Sequence, residues 1–460
     1  MRVIRQLAAL LCALGLAGTA HGDDLTVRLN TALQHPGLRG ASVAALVVRA
    51  ADGQVLFAHQ PDRALVPASN QKVLTALAAL ATFGPTHHFT TRIVADAPLD
   101  AAGAVGTLAV QAGGDPALTS EEWWRLAADL RRLGLRRVRD GVILDDSYFD
   151  AQRWNPSWGG GSARAFHAPV AALTANYGSF AVQVDPARRV TIDPPVPYFT
   201  LLDQVQLGRG AALSVERRAA ASGDEIVVAG RAPARDATTI FRSVSDPVRY
   251  AGSVFEMQLR AVGIAVDGPL RVGPLPAGAR ELLAFEGPSL AEIVRLCMKH
   301  SNNNIAEMLV KNLGAQVSGP PGTWDGGLAV VLQQLRAAGV DTTGLRLLDG
   351  SGLSHDNRVT PRALVGALRA AQASFAFGPD FLAALPIAGR DGTLGKRAAG
   401  ARDLARAKTG LLNDAAALSG IAITRGGTTV VFSILVNDFK HADLAIAAND
   451  GFVTALVESP

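Results

Sequence analysis

The chain has 460 residues, 48% apolar and 18% charged, with a formal net charge of +4. It is too long for one simple core and too apolar to be disordered. So small a surplus of cations excludes a dedicated nucleic-acid binder, and without a G-x-x-x-x-G-K-[ST] or a G-x-G-x-x-G after a strand the common phosphate loops are excluded as well.

In chain order, the first 22 residues (MRVIRQLAALLCALGLAGTAHG) carry Arg2 and Arg5, then an apolar run, then small residues. This is the layout of a secretory signal peptide, cleaved near Ala20 or Gly22, and the apolar run is short for a membrane span. An exported, periplasmic protein is expected. Cys12 leaves with that segment, so Cys297 alone remains and no internal disulfide forms. No cysteine–histidine cluster and no H-E-x-x-H is present, so neither metal nor other cofactor is expected.

Residues 41–60 predict two strands joined at Asp52-Gly53, a strong hairpin signal. Past the loop PDRALVPA the pattern turns helical, with Val73, Leu77 and Leu80 on one face and Ser69 at the cap or first turn. From about 90 to 280 short strand-like runs are broken by Gly, Pro and Asp, with one clear helix, SEEWWRLAADLRRLG. The basic run at 131–140 reads as a solvated face. Helical periodicity returns at a Ser289/Glu292 capping box and stops at KHSNNN, after which IAEMLVKNLG opens another helix. Three strand-like runs follow (ARAKTGLL, AAALSGIAIT, TTVVFSILVN), the last two joined at Arg425-Gly426-Gly427, and then a helix, ADLAIAANDGFVTALV.

This order predicts a mixed α/β (α+β) fold. One domain is formed by 23–88 and 284–460, and 89–283 is a strand-rich insertion with a smaller unit nested near 180–235.

Only six of the 44 Lys+Arg residues are lysine, at 72, 299, 311, 396, 408 and 440. Arginine is the ordinary cation here, so Lys72 points to a task arginine cannot do, which is to lose its proton. Ser69-x-x-Lys72 puts hydroxyl and amine on one helical face, about 5–6 Å apart at Cβ. A neutral amine there can take the serine's proton, and a helix N-terminus favours the charge that develops. Chance supplies about 0.3 such matches in a chain of this composition, so the pair alone reads equally as a capping serine and an exposed lysine. The chain also holds Ser301-Asn302-Asn303 between two helices and Lys408-Thr409-Gly410 on a strand near the C-terminus. The three together, in this order and context, form the set used by serine acyl-transfer enzymes.

On these motifs the chain resembles the serine D-alanyl-D-alanine carboxypeptidase/endopeptidases of the penicillin-binding protein 4 type. These carry a long insertion between S-x-x-K and S-x-N, and here that gap runs from 72 to 301. Four further stretches carry the likeness: GGDPALT (113–119), RWNPSW (153–158), DGSGLSHDN (349–357) and GRDGTLGKR (389–397). The resemblance implies a penicillin-binding/β-lactamase-like domain, an antiparallel sheet flanked by helices. It implies cleavage of D-Ala-D-Ala and of D-Ala-diaminopimelate cross-links in peptidoglycan, with penicillins as acylating inhibitors. Ser69 would be the nucleophile, Lys72 its base and Ser301 the proton relay to the leaving amine. Asn303 would hold the substrate amide or Lys72. Lys408 and Thr409 would meet the terminal carboxylate beside Gly410, with Lys408 needing only to stay charged. The N–H groups of Ser69 and Leu411 would form the oxyanion hole.

The rivals are a serine β-lactamase and a non-catalytic peptidoglycan-binding protein. None of the tyrosines (148, 177, 198, 250) starts a Y-x-N, and no motif residue is missing. Stem peptides and β-lactams are the expected partners, with no nucleic acid and at most a loose association with the envelope. Oligomeric state is left open.

Overall fold

The computed structural model describes residues 25–459 apart from Arg209, so the signal-peptide segment lies outside the described residues. The chain forms two compact units. One comprises the chain up to Pro85, Val294–Ser301 and the segment from Val331; the other comprises Thr86–Ile293 and Asn302–Val330.

The first unit is built on five antiparallel strands: β1 (Ser42–Arg49), β2 (Val55–His59), β3 (Ala405–Leu411), β4 (Ala415–Ile423) and β5 (Thr429–Asn437). Their order across the sheet is β3-β4-β5-β1-β2, so β1 pairs with β5 from Ser42↔Asn437 to Arg49↔Val430. The two ends of the chain thus close one sheet, and everything between them is an excursion. Alternate residues divide its faces, as a two-residue period requires. Val43, Ala45, Val47, Phe432, Ile434 and Val436 pack with Phe452, Val453 and Leu456 of the C-terminal helix Ala442–Val457 and with Leu25 and Leu29 of the helix through 25–33. On the other face lies helix Pro361–Ala373, which also packs against α1 (Gln71–Phe83). Because both faces are covered, β4 is buried along nearly its whole length, which explains its unbroken apolar run.

The second unit centres on a six-stranded mixed sheet. Strands Ala104–Gln111 and Arg137–Asp145 run parallel, joined through helix Ser120–Arg132, while His88–Ala95 and Arg280–Ser289 pair antiparallel. Residues 179–243 form two further three-stranded sheets. A second helix, Pro247–Ala261, packs on Ser120–Arg132, with Trp123 and Phe255 rings 5.2 Å apart. The sequence reading omits it, although Asp246 caps it through Val248 and Arg249 N–H and Pro247 stands in its first turn, an ordinary start signal.

The packing also departs from the sequence division at 302–330. Helix Asn303–Ser318 belongs with the second unit because its polar side chains are spent there. Lys311 meets Asp150, Asn312 donates to Gly114 O, and Asn304 donates to Pro169 O.

Candidate active site

Ser69 stands in a tight 3₁₀ turn, Ala68–Asn70, that feeds directly into α1. Ala68 has φ +45°, a left-handed conformation that costs an alanine of order 1 kcal/mol or more and that tight turns tolerate only when the surroundings hold them. The surroundings do. Every residue of α1 from Gln71 to Leu80 is buried, so the helix cannot swing. Asn70 Nδ2 donates to Lys408 O at 3.1 Å, tying the turn to β3.

Lys72 is fully buried, with Nζ 2.9 Å from Ser69 Oγ and 2.8 Å from the carbonyl of Ser351. Ser351 lies in the DGSGLSHDN segment, which clamps α1 along its length. Gln71 Nε2 donates to Asp349 O, and Thr75 Oγ1 to Gly350 O. The buried Asp349 carboxylate shapes that loop by accepting from Gly352 N, Ser354 N and Asn357 Nδ2 at 2.7–2.9 Å. Sequence reasoning quoted this segment and assigned it no role; its buried Asp between small residues was the available signal.

Ser301 follows the last residue of helix α2 (Leu290–His300) and has φ +57°. Its Oγ accepts from Lys408 Nζ at 2.9 Å, and the same ammonium donates to Thr409 O at 2.7 Å. Lys408 is fully buried, and burial together with the charge of Lys72 pulls its pKa well below that of a free lysine. The structure therefore brings together two hydroxyl–lysine pairs, Ser69–Lys72 and Ser301–Lys408, with the two lysines within electrostatic reach of each other.

β3 is the edge strand of its sheet. Its outer side is occupied early, where Ala388 N donates to Ala405 O and Ala407 N to Pro386 O. By strand alternation Thr409 and Leu411 turn their N–H groups to that same outer side. Gly410 lets β3 run against the nucleophile turn: a Cβ there would lie 2.9 Å from Pro67 O and 3.0 Å from Ser69 N. The N–H groups of Ser69 and Leu411 thus sit on adjacent segments. Thr409 Oγ1 donates to Thr393 Oγ1 at 2.7 Å, a contact that the GRDGTLGKR segment supplies. Leu411 ends the strand with its side chain half-exposed.

Asn303 does not lie in a loop. It is the first residue of helix Asn303–Ser318, capped by Asn302, and its Nδ2 donates to Phe166 O at 2.7 Å within the second unit. Among the described residues no group of three or more His, Cys, Asp or Glu is arranged to hold a metal ion.

The family model described as "D-Ala-D-Ala carboxypeptidase 3 (S13) family" matches residues 25–456. A D-alanyl-D-alanine carboxypeptidase of Actinomadura sp. (strain R39) is 35% identical, covering 97% of this chain and 87% of that relative. Penicillin-binding protein 4 from Haemophilus influenzae superposes with a TM-score of 0.80 at 22% identity, over 93% of this chain and 99% of the other. A predatory peptidoglycan endopeptidase from Bdellovibrio bacteriovorus superposes at 0.51, with 16% identity over 86% of each chain. These two likenesses establish the mixed α/β fold.

Proposed function

The chain belongs to the D-Ala-D-Ala carboxypeptidase 3 (S13) family, and from that premise we propose how its own residues carry out the reaction. It is a serine D-Ala-D-Ala carboxypeptidase acting on peptidoglycan stem peptides, and β-lactams acylate it. The observation that carries the residue assignment is the 2.9 Å approach of Lys72 Nζ to Ser69 Oγ on a buried, clamped helix.

Neutral Lys72 takes the Ser69 proton as Oγ bonds to the carbonyl carbon of the penultimate D-Ala. The carbonyl oxygen becomes an oxyanion held by the N–H groups of Ser69 and Leu411. Collapse breaks the C–N bond. The leaving D-Ala nitrogen receives a proton through Ser301, which Lys408 orients, and an acyl-Ser69 ester remains. Water then attacks the ester, its proton passing back through the same groups, and frees Ser69. Lys408 and Thr409 hold the terminal carboxylate. A peptide laid along the open outer side of β3 would extend the sheet, which fixes its scissile bond against the nucleophile turn.

The same chemistry extends to D-Ala-diaminopimelate cross-links, whose scissile bond has the same acyl half. The protein is exported and freed of its first 22 residues, and it takes no nucleic acid. The inserted region 89–283 governs access of large substrates without supplying catalytic groups. The test is a fluorescent penicillin, which labels the mature protein at Ser69; a folded Ser69→Ala that still labels removes the nucleophile assignment. Digestion of cross-linked and uncross-linked muropeptides, read by mass spectrometry, separates the two peptidase activities.

A further inference from the structure

The GRDGTLGKR segment carries no role in the mechanism above, yet it is fastened more firmly than a surface turn requires. Lys299, in the last turn of α2, is 13% exposed at its side chain and donates to Asp391 Oδ2 at 2.6 Å and to Leu385 O at 2.8 Å. Asp391 Oδ1 accepts from Ile387 N at 2.8 Å. Gly392 follows with φ +54° and lies so close to α2 that a Cβ there would be 2.6 Å from Lys299 O. On the far side Arg397 grips the Asp450 carboxylate of the C-terminal helix with two N–H groups, at 2.8 and 3.2 Å. Between these two anchors stands Thr393, its Oγ1 on Thr409 Oγ1.

These contacts close a ring. Lys299 holds Asp391; two residues on, Thr393 meets Thr409; its neighbour Lys408 meets Ser301; and Ser301 lies two residues beyond Lys299. Every member belongs to the first unit. A rigid link therefore runs from the helix that carries the proton-relay serine to the strand that carries Lys408 and Thr409.

Hydroxyl counting shows what the link is for. Two threonine hydroxyls in contact spend one hydrogen on each other and keep the second to donate outward. A carboxylate placed at Thr409 is a stronger acceptor than a hydroxyl, so both can turn to it. We infer that Thr393 is a second hydroxyl ligand for the terminal carboxylate of the substrate, and that Lys299 and Asp391 are positioning residues that hold it there. The ion pair is not itself in reach of the substrate in this scheme; it sets the turn on which Thr393 stands. The inference rests on the reading of Lys408 and Thr409 as the carboxylate site.

The test compares diacyl-L-Lys-D-Ala-D-Ala with its C-terminal carboxamide, which keeps the scissile bond and removes the charge. Wild type prefers the acid. Thr393→Val, which keeps the shape and loses the hydroxyl, lowers the acid-over-amide ratio of kcat/KM by about tenfold, the scale of one hydrogen bond to a charged group. Thr393→Ser restores it. Asp391→Asn lowers the same ratio while leaving Thr393 in place, a shift that a purely structural role, slowing both substrates alike, does not produce. An unchanged ratio in Thr393→Val overturns the carboxylate role, and an unchanged ratio in Asp391→Asn overturns the positioning role. Failure of wild type to cleave either peptide would instead strike the peptidase reading, so the two failures are distinct.

Discussion

Three of the six lysines are fully buried, and the two units keep them in opposite ways. In the second unit Lys311 Nζ lies 2.6 Å from the Asp150 carboxylate, 2.7 Å from Gln152 O and 3.9 Å from the Trp324 ring centroid. Burial pulls its pKa down, and the carboxylate pulls it back. In the first unit Lys408 is held by neutral dipoles, Ser301 Oγ and Thr409 O, and both burial and the charge of Lys72 lower its pKa. A lysine given a carboxylate and an aromatic face is a fixed cation that glues a helix down. A lysine among hydroxyls, facing another cation, is one whose proton is easily surrendered.

The largest expected effect breaks the comparison on its catalytic side. Lys72→Arg keeps charge and approximate reach but removes the base, and β-lactam acylation is expected to slow about 10²–10⁴-fold. Stopped-flow acylation measures this, and a near-wild-type rate would leave Lys72 a purely electrostatic role. Lys408→Arg is expected to be nearly as damaging. The sequence alone suggests a milder outcome there, on the ground that the cation needs only to stay charged. Full burial beside Lys72 reverses that, because arginine would bring a larger and permanent second charge into a space that lowers the pKa of the lysine it replaces.

The next effect is on the structural side. Lys311→Met strands the Asp150 carboxylate and loses the contact with Trp324, and is expected to cost about 3 kcal/mol of stability in urea unfolding. The folded variant should still be acylated within a few-fold of wild type. Acylation falling as far as in Lys72→Arg, with stability intact, would mean the division between the two kinds of buried lysine is wrong.

The scarcity of lysine was legible in the sequence, but its meaning was only half so. It drew attention to Lys72, whose spacing from Ser69 already suggested a base. The same scarcity applied to Lys311, which has no motif around it, because its partners Asp150 and Trp324 are brought to it only by folding. The strands of the first unit were readable because turn signals flank them, Asp52-Gly53 and the Gly427 turn. The reach of the second unit into 302–330 was not readable. Asn304, Lys311 and Asn312 look like a solvated polar face until Pro169, Asp150 and Gly114 are folded against them. Likewise the clamp of Asp349, Gly350 and Ser351 on α1 joins residues nearly 280 positions apart, beyond the reach of any local pattern.

A buried carboxyl of the second unit sharpens the comparison and carries the smallest of the expected effects. Asp115 of the GGDP stretch is fully buried; its Oδ1 accepts from Ala117 N, while Oδ2 has no hydrogen-bond partner among the described residues. Burial above all pushes its pKa from 3.8 to about 7, against the Ala117 N–H that favours the charged form, with Glu122 raising it and Arg125 and His88 lowering it. Unlike Lys311 it has no adequate counter-charge, and so it neutralises itself. The folded protein keeps the Asp115 proton up to about pH 7, whereas the unfolded chain gives it up near pH 4. Between those values the unfolded state binds fewer protons, so this group's contribution to stability is whole below pH 4, falls as pH rises, and is lost above pH 7. Asp115→Asn is neutral at every pH and keeps the Oδ1 acceptor. Its stability relative to wild type should therefore improve by about 2 kcal/mol between pH 5 and pH 8, roughly half of what so large a pKa shift implies at full extent. Urea unfolding of both proteins at the two pH values reads this directly. Parallel changes in the two would show that Asp115 is ionised in the folded protein, with a counter-charge as effective as the one Asp150 gives Lys311.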